Sequence, residues 1–474
     1  MSSAVDFSRR CDLAVVGGGP GGYTAALLAA RHGLKVLLVE QDRLGGTCLN
    51  RGCIPTKSLL WEAKVLDRIR RSQAFVGKGR LRVRLDKLLE GKDRAVQSLV
   101  SGLGKLLDEA GVRILEGRAN VLSPQMIRVS RRDGGIQEHR CSRILLATGS
   151  CPSYPSSLEP DGQVVVTSDE ALCLGRIPET MVIIGGGVIG VEFAYLFQAL
   201  GTRVTIIELL PDILPGEDEE IRRAFRRSLS QRAVEIHLEA RVDGVWKEGD
   251  GARVVFVDRN GRKEERRGDM VLLATGRKPS LQGIDPSRLG LAMNGPYVRV
   301  NRKMETNLHG VYAVGDLVGG LMTAHAASAQ AEVAVTNMLG GDREFDPHKV
   351  PRCVWGFPEA AAVGQTEWEA RESGRRVRVG KFPYEFSGKA QAIGEVEGFV
   401  KIIGDEDNGE ILGVHIFGES ATELIGEVLL AVNIEAAVED LGQVVKPHPT
   451  LSECLKEAAL AWEGRPLHMI PDGR

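Results

Sequence analysis

Residues 12–40 read DLAVVGGGPGGYTAALLAARHGLKVLLVE, and the reading of this stretch decides the fold. An apolar run with the character of a buried strand ends on a glycine turn. An Ala/Leu-rich segment of helical spacing follows, then a Gly and a second apolar strand ending in Glu40. The turn carries Gly17-x-Gly19-x-x-Gly22 in the strand-to-helix context that a dinucleotide fingerprint requires. The first glycine makes the tight turn, the second lets the backbone approach a pyrophosphate, and the third lets helix and strand pack closely. The helix N-terminus offers unpaired N–H groups and a partial positive charge to phosphates. Glu40 stands where a carboxylate can accept both ribose hydroxyls. One such turn is weak evidence by itself, because an ordinary strand–helix connection can carry the same pattern.

A second copy removes that ambiguity. Residues 180–208 read TMVIIGGGVIGVEFAYLFQALGTRVTIIE, with Gly185-x-Gly187-x-x-Gly190 and a terminal Glu208. Gly17 to Glu40 and Gly185 to Glu208 are each 23 positions apart. Each copy is later followed by a strand closing on the same tripeptide, in LLATGS at 145–150 and LLATGR at 272–277. The chain is therefore expected to bind two dinucleotides, one per unit. Glu208 suits the free 2′-hydroxyl of NAD and would repel a 2′-phosphate. Leu209, Leu210 and Pro211 after it supply no cation.

Outward from these copies, the chain has 474 residues, enough for about three domains. The net charge of −2 gives no reason to expect nucleic acid or an anionic membrane as the main partner. The opening MSSAVDFSRR has no apolar core of signal-peptide type, and no long uninterrupted apolar run suggests a membrane span. A cytoplasmic protein with reduced thiols is expected. Glycine is abundant, 57 residues, in keeping with many loops, while 8 cysteines are too few for a disulfide scaffold. Residues 59–110 read as helical and 111–150 as strands around a Gly134-Gly135 turn. Strands are expected at 297–300 and 311–314, and an Ala-rich helix over about 323–339. Beyond Gly340-Gly341-Asp342 and Pro347, strands at 398–403 and 411–417 mix with helices at 421–432 and 452–462.

Two cysteines are closely spaced, in Gly45-Gly46-Thr47-Cys48-Leu49-Asn50-Arg51-Gly52-Cys53-Ile54-Pro55-Thr56-Lys57. Along a regular helix, residues five apart are separated by at least roughly 7.5 Å, beyond disulfide range. A bridge needs a distorted helix start, and Gly52 and Pro55 are suited to distort it. The pair reads either as a redox dithiol or as two free, partly buried thiols. Zinc is a poor fit, because no second ligand pair stands nearby in sequence. Cys11, Cys141, Cys151, Cys173, Cys353 and Cys454 have no partner at a telling spacing and read as small buried apolar groups. Near the end, Pro447-His448-Pro449-Thr450-Leu451-Ser452-Glu453 offers a histidine for acid–base work and a carboxylate to orient it. Thr450-x-x-Glu453 also fits a helix capping box.

Residues 37–60, LLVEQDRLGGTCLNRGCIPTKSLL, resemble the disulfide segment of the flavoprotein pyridine nucleotide-disulfide oxidoreductases, and most closely their dihydrolipoamide-oxidising branch. GGGVIGVEFA (185–194), LLATGRKP (272–279), VYAVGDLVGGLMTAH (311–325), GFVKII (398–403), LGVHIFG (412–418) and HPTLSE (448–453) follow in the family's order. The resemblance covers essentially the whole chain. It implies an α/β fold with two Rossmann-like dinucleotide-binding domains and a C-terminal α+β dimerisation domain. The implied boundaries are 1–150 with 277–346 for FAD, 151–276 for NAD, and 347–474 for the interface. FAD contacts are implied at Gly17, Gly19, Gly22, Glu40, Gly46, Thr47, Lys57, Gly117, Thr148, Gly149, Ser150, Asp316, Met322, Thr323, Ala324 and His325. NAD contacts are implied at Gly185, Gly187, Gly190, Glu192, Glu208, Val242 and Gly276.

The resemblance further implies that Cys48 and Cys53 form the redox disulfide, Cys48 exchanging with substrate and Cys53 facing the flavin. Lys57 and Glu192 are implied to lie as a pair near that ring. His448 is the implied base, oriented by Glu453, reaching the disulfide of a second copy in a homodimer. The implied reaction converts a dihydrolipoyl group and NAD⁺ to lipoyl disulfide and NADH. The implied outside partner is a lipoylated acyltransferase or glycine-cleavage carrier protein. The chain departs from the common pattern at Phe357, at Lys446 and over AASAQ at 326–330, where Gln330 stands. Rival readings are a glutathione-reductase-like enzyme, which Glu208 opposes, and a mercuric-reductase-like enzyme, whose terminal cysteine pair the tail PLHMIPDGR lacks. A non-catalytic flavoprotein docking subunit is a third.

Overall fold

The computed structural model describes residues 10–77 and 81–470. The opening stretch up to residue 9 and the tail at 471–474, both used in the sequence reading, lie outside the described residues. The chain divides into two compact units. The first holds the chain up to Leu59 with Arg84–Ser153 and Gly276–Pro347; the second holds Leu60–Val83, Tyr154–Thr275 and the chain from His348 onward.

In the first unit, strands Arg10–Val16, Val36–Glu40, the start of Arg113–Ser123, the end of Ile136–Leu146 and Val311–Ala313 form a parallel sheet. The expected strands of residues 12–40 sit side by side in it, Val16 opposite Val39. Val36–Glu40 is buried along its whole length, as a parallel sheet covered on both faces requires. Met126–Arg131 pairs antiparallel with the other halves of the two long strands. The alanines of helices Pro20–Arg31 and Ala324–Met338 share one apolar cluster, which explains their composition. Small side chains let the two helices lie close: a Cβ on Gly21 would come within 3.3 Å of the Ala327 carbonyl, as well as 2.9 Å of Val314 at the end of strand Val311–Ala313.

The second unit repeats the plan. Glu235–His237, Arg203–Ile207, Thr180–Ile184, Met270–Leu273 and Val165–Val166 form a five-stranded parallel sheet. Arg241–Glu248, Gly251–Val257 and Lys263–Gly268 form an antiparallel meander beside it in sequence. The C-terminal part is an antiparallel sheet of five strands, Arg352–Val354, Glu359–Gly364, Ile411–Gly418, Phe399–Asp405 and Val377–Pro383 in spatial order. Helices Ala421–Asn433, Val438–Gln443 and Glu453–Trp462 complete its core. Gly404 leaves room for Trp462, whose Nε1 would stand 2.6 Å from a Cβ there. The mixed α/β architecture expected from the repeat is the one found.

Boundaries differ in places. The helical stretch expected over 59–110 splits into Cys53–Arg71 and Leu85–Glu109. Gly77, at φ +73°, lies in the non-helical interval. No helix among the described residues is long and apolar enough to cross a membrane.

Candidate active site

The two glycine turns are built alike. Gly17 and Gly185 adopt φ of +105° and +109°, and a Cβ there would lie 2.3 Å from the Ala147 carbonyl and 2.4 Å from the Ala274 carbonyl. Gly22 and Gly190 would collide with the carbonyls of Gly17 and Gly185, at 1.8 and 2.0 Å. Those distances are why no side chain is tolerated at these four positions. Gly19 and Gly187 are the N-cap residues of helices Pro20–Arg31 and Val188–Leu200, with no side chain capping either helix. The first-turn N–H groups are thus left for an anion.

Glu40 and Glu208 do more than the sequence suggested. Gly18 N–H donates to Glu40 Oε2 (2.6 Å) and Gly186 N–H to Glu208 Oε2 (2.5 Å), so each carboxylate pins its own glycine turn. The other oxygens accept from Asp42 and Leu210 N–H, both at 2.7 Å. A carboxylate has about four acceptor positions, so capacity for ribose hydroxyls remains. After Glu40, a cavity of about 470 Å³ is lined by Gln41, Asp42, Gly117, Ser130 and Gln282. Val242 sits beside a register irregularity in its strand. Glu192 is 4% exposed and accepts from Trp355 N–H at 3.2 Å. Gly276 opens the returning stretch of the first unit, at φ +114°, and its carbonyl accepts from Ser153 N–H.

The cysteine segment has the distortion that a bridge needs. Helix Gly46–Arg51 stops at Gly52, whose φ −138° and ψ −110° break the spiral, and helix Cys53–Arg71 starts afresh. A Cβ on Gly46 would stand 2.7 Å from Gly19, so the segment begins against the first glycine turn. The thiols of Cys48 and Cys53 are in hydrogen-bonding contact. That bond raises the Cys48 thiol first, burial and the charge of Cys53 add to it, Lys57 opposes it, and Asp316 raises it again. Tyr23, which sequence reasoning missed, is within electrostatic reach of both cysteines; its hydroxyl is raised by burial first and then by them.

The remaining first-unit residues converge as well. Ser150 Oγ donates to Asp316 Oδ2, and Arg277 Nε donates to Ser150 Oγ at 2.7 Å. Thr148 Oγ1 donates to the Ser280 carbonyl, and Gly149 adopts φ +67°. Met322 precedes Thr323, which caps helix Ala324–Met338 by accepting from Ala326 N–H, and its hydroxyl lies 3.1 Å from His325 Nε2. Gln330, part of the departing AASAQ stretch, is buried and accepts from Gly315 N–H at 2.7 Å, holding the turn before Asp316. Thr47 lies in helix Gly46–Arg51.

His448 is 76% exposed, with Nδ1 3.0 Å from Glu453 Oε1. Glu453 Oε2 accepts from Thr450 N–H at 2.9 Å. Burial alone would raise the Glu453 carboxyl, but the bonds from His448 and Thr450 outweigh it and hold it below the usual range. Only half of the capping box forms. Thr450 Oγ1 donates to the Pro447 carbonyl, and the last helix begins at Glu453 itself. Glu453 therefore serves the histidine as well as the loop.

Glu427, unremarked in the sequence, grips both ends of that loop. It pairs with Lys446 before His448 and accepts from Ser452 Oγ (2.8 Å) after it. The departure at Lys446 thus has a structural partner. At Phe357, the ring is buried against Tyr195, centroids 5.1 Å apart, with the Arg232 guanidinium 5.0 Å above it.

A donor-lined glycine turn pinned by a carboxylate, a dithiol beside it, a second such turn and a His–Glu pair together point to one family. Its profile, pyridine nucleotide-disulphide oxidoreductase, matches residues 11–331, and the profile of its dimerisation domain matches 350–459. The chain belongs to the pyridine nucleotide-disulphide oxidoreductases. Dihydrolipoyl dehydrogenases of Chlorobaculum tepidum and Thermus scotoductus are 38% and 39% identical to this oxidoreductase, over 97% of it and 98% and 99% of themselves. LpdA from Mycobacterium tuberculosis has a similar structure, with a TM-score of 0.88 and 28% identity over 95% of this chain and 98% of its own. The HOCl-induced flavoprotein disulfide reductase of Escherichia coli is similar at TM-score 0.82 and 26% identity, covering 95% and 99%. As an oxidoreductase of this family the chain uses FAD and NAD, and it carries the family's dimerisation domain.

Proposed function

We propose that the protein is a dihydrolipoyl dehydrogenase, oxidising protein-bound dihydrolipoyl groups to lipoyl disulfide through Cys48 and Cys53 and reducing NAD⁺. The observation that carries this reading is the Cys48–Cys53 contact across the broken helix, next to a nucleotide turn. A Cβ on Gly19 would meet nothing nearer than Gly46 Cα at 3.9 Å, so the second glycine leaves an open face for a pyrophosphate and the first unit fits FAD; Glu40 would hold its ribose, and Asp316, Ser150 and the 322–325 turn its other polar groups. When bound, FAD would supply the two-electron link between the cysteine pair and NAD⁺. Glu208 and the turn from Gly185 to Gly190 would hold NAD⁺.

The thiol chemistry belongs to the chain's own residues. A thiolate, not a thiol, attacks a disulfide. His448 Nε2 is left open when Nδ1 engages Glu453, so the imidazole takes the proton from the substrate thiol. The substrate thiolate attacks Cys48 of the oxidised pair, and Cys53 leaves as thiolate. The second substrate thiol then displaces Cys48, closing the lipoyl disulfide and leaving the pair reduced. The carboxylate of Glu453 fixes the tautomer of the neutral imidazole and stabilises the imidazolium that forms. His448 is proposed to serve the disulfide of a second copy, which makes the homodimer the active species. The separate partner is a lipoylated acyltransferase or carrier protein.

Cys48→Ser tests the assignment. The variant should bind FAD normally and lose dihydrolipoamide oxidation. Full retained activity would overturn it.

A further inference from the structure

The reaction leaves six cysteines without a role, and sequence spacing treated each alone. The fold brings two of them together. Cys11 on Arg10–Val16 and Cys141 on Ile136–Leu146 are register partners in adjacent parallel strands, although 130 positions separate them. Neighbouring strands run about 4.8 Å apart, inside the Cα separation that a disulfide accepts. Both side chains face the same apolar cluster: Cys141 is a buried member, 2% exposed, and the half-buried Cys11 packs against it. The Cys11 thiol donates to the Arg140 carbonyl (3.9 Å) and the Cys141 thiol to the His139 carbonyl (3.6 Å), and the neighbouring Cys11 thiol, then burial, raise the Cys141 thiol. Cys141 is thus held as a thiol beside a more accessible Cys11.

We propose that Cys11 and Cys141 are a second dithiol, an oxidative modification site separate from the catalytic pair, closed to a disulfide by a hydroperoxide. The Cys11 thiolate attacks a peroxide oxygen; the O–O bond breaks, giving a sulfenic acid and, with the thiol's own proton, one water from hydrogen peroxide. The Cys141 sulfur then attacks the sulfenic sulfur. An S–S bond forms, the S–O bond breaks, and the Cys141 proton leaves with the hydroxide as a second water. Two thiols lose two electrons in all, and one peroxide becomes two waters. The product staples the strand that carries the first glycine turn to the strand that leads into Thr148–Ser150.

The test uses the intact flavoprotein treated with hydrogen peroxide, blocked with a thiol-alkylating reagent, digested and mapped by mass spectrometry without reduction. A peptide joining Cys11 to Cys141 is expected alongside the Cys48–Cys53 disulfide. In Cys141→Ser, Cys11 should be trapped as a sulfenic acid by dimedone; in Cys11→Ser, Cys141 should remain an alkylatable thiol. Untreated Cys11→Ser should turn over dihydrolipoamide like the wild type. Recovery of both residues as alkylated thiols, in a sample whose Cys48–Cys53 disulfide has formed, would overturn the proposal.

Discussion

His448 illustrates how much a single side chain needs around it. An imidazole alone titrates near neutrality, which suits it to move a thiol proton. What makes it useful is that one nitrogen is engaged and the other is not. Glu453 sets that at 3.0 Å, and its own second oxygen is tied to Thr450 N–H. Replacing His448 by Gln should slow dihydrolipoamide oxidation by about 10²–10⁴-fold, the usual contribution of a general base. Steady-state turnover with dihydrolipoamide checks it; unchanged turnover would point to another base. The close spacing of Cys48 and Cys53 around Gly52 was visible in the sequence, but their redox role came from the family resemblance. The pairing of Cys11 and Cys141 was not visible, because only the sheet register brings them together.

Among elements, the two strand–turn–helix units were readable to the residue, since each fingerprint is local and its glycines answer to steric contacts. Gly185→Ala forces a Cβ to 2.4 Å from the Ala274 carbonyl at a φ of +109°. It should cost more than about 1 kcal/mol and sharply raise KM for NADH, while the first unit keeps its flavin. Flavin absorbance and NADH titration separate the two effects. The pinning of each turn by Glu40 or Glu208 was half-visible: the carboxylate was expected, its backbone donors were not. Helix Ala421–Asn433 contributes Glu427, which holds Lys446 and Ser452 and so fixes the loop bearing His448. Glu427→Ala should lower kcat by about ten- to a hundred-fold, as loosened positioning does, with little change in KM for NAD⁺. No local signal marks Glu427, because its partners lie on a different element.

At the scale of the whole molecule, burial shapes how stability responds to acid. His415 is wholly buried in the C-terminal sheet, with Nε2 2.9 Å from the Gln365 carbonyl and Asp218, Arg352 and Lys401 around it. Burial lowers it to about 4; the Asp218 charge works the other way, and Arg352 and Lys401 add to the lowering. The unfolded chain binds that proton near pH 6.5, so the stabilisation is complete above this value and is lost as pH falls toward about 4, about 3 kcal/mol in all. Denaturant melts at about pH 7 and about pH 5 should show the loss in wild type, and less of it in His415→Asn. The duplicated nucleotide plan was legible because two glycine turns stand at matching spacings from their strands and carboxylates, whereas the α+β end was expected from the family resemblance. The gathering of Arg352, Lys401 and Asp218 was not legible, since a buried ion cluster is assembled from distant segments. The central claim is that this fold moves electrons between a dihydrolipoyl dithiol and NAD⁺. Steady-state rates with NADH and NADPH, each against lipoamide, glutathione disulfide and Hg(II), test it most directly. Fast turnover of lipoamide with NADH, and little with the other combinations, is the predicted result; preference for NADPH, or for glutathione disulfide or Hg(II) over lipoamide, would contradict it.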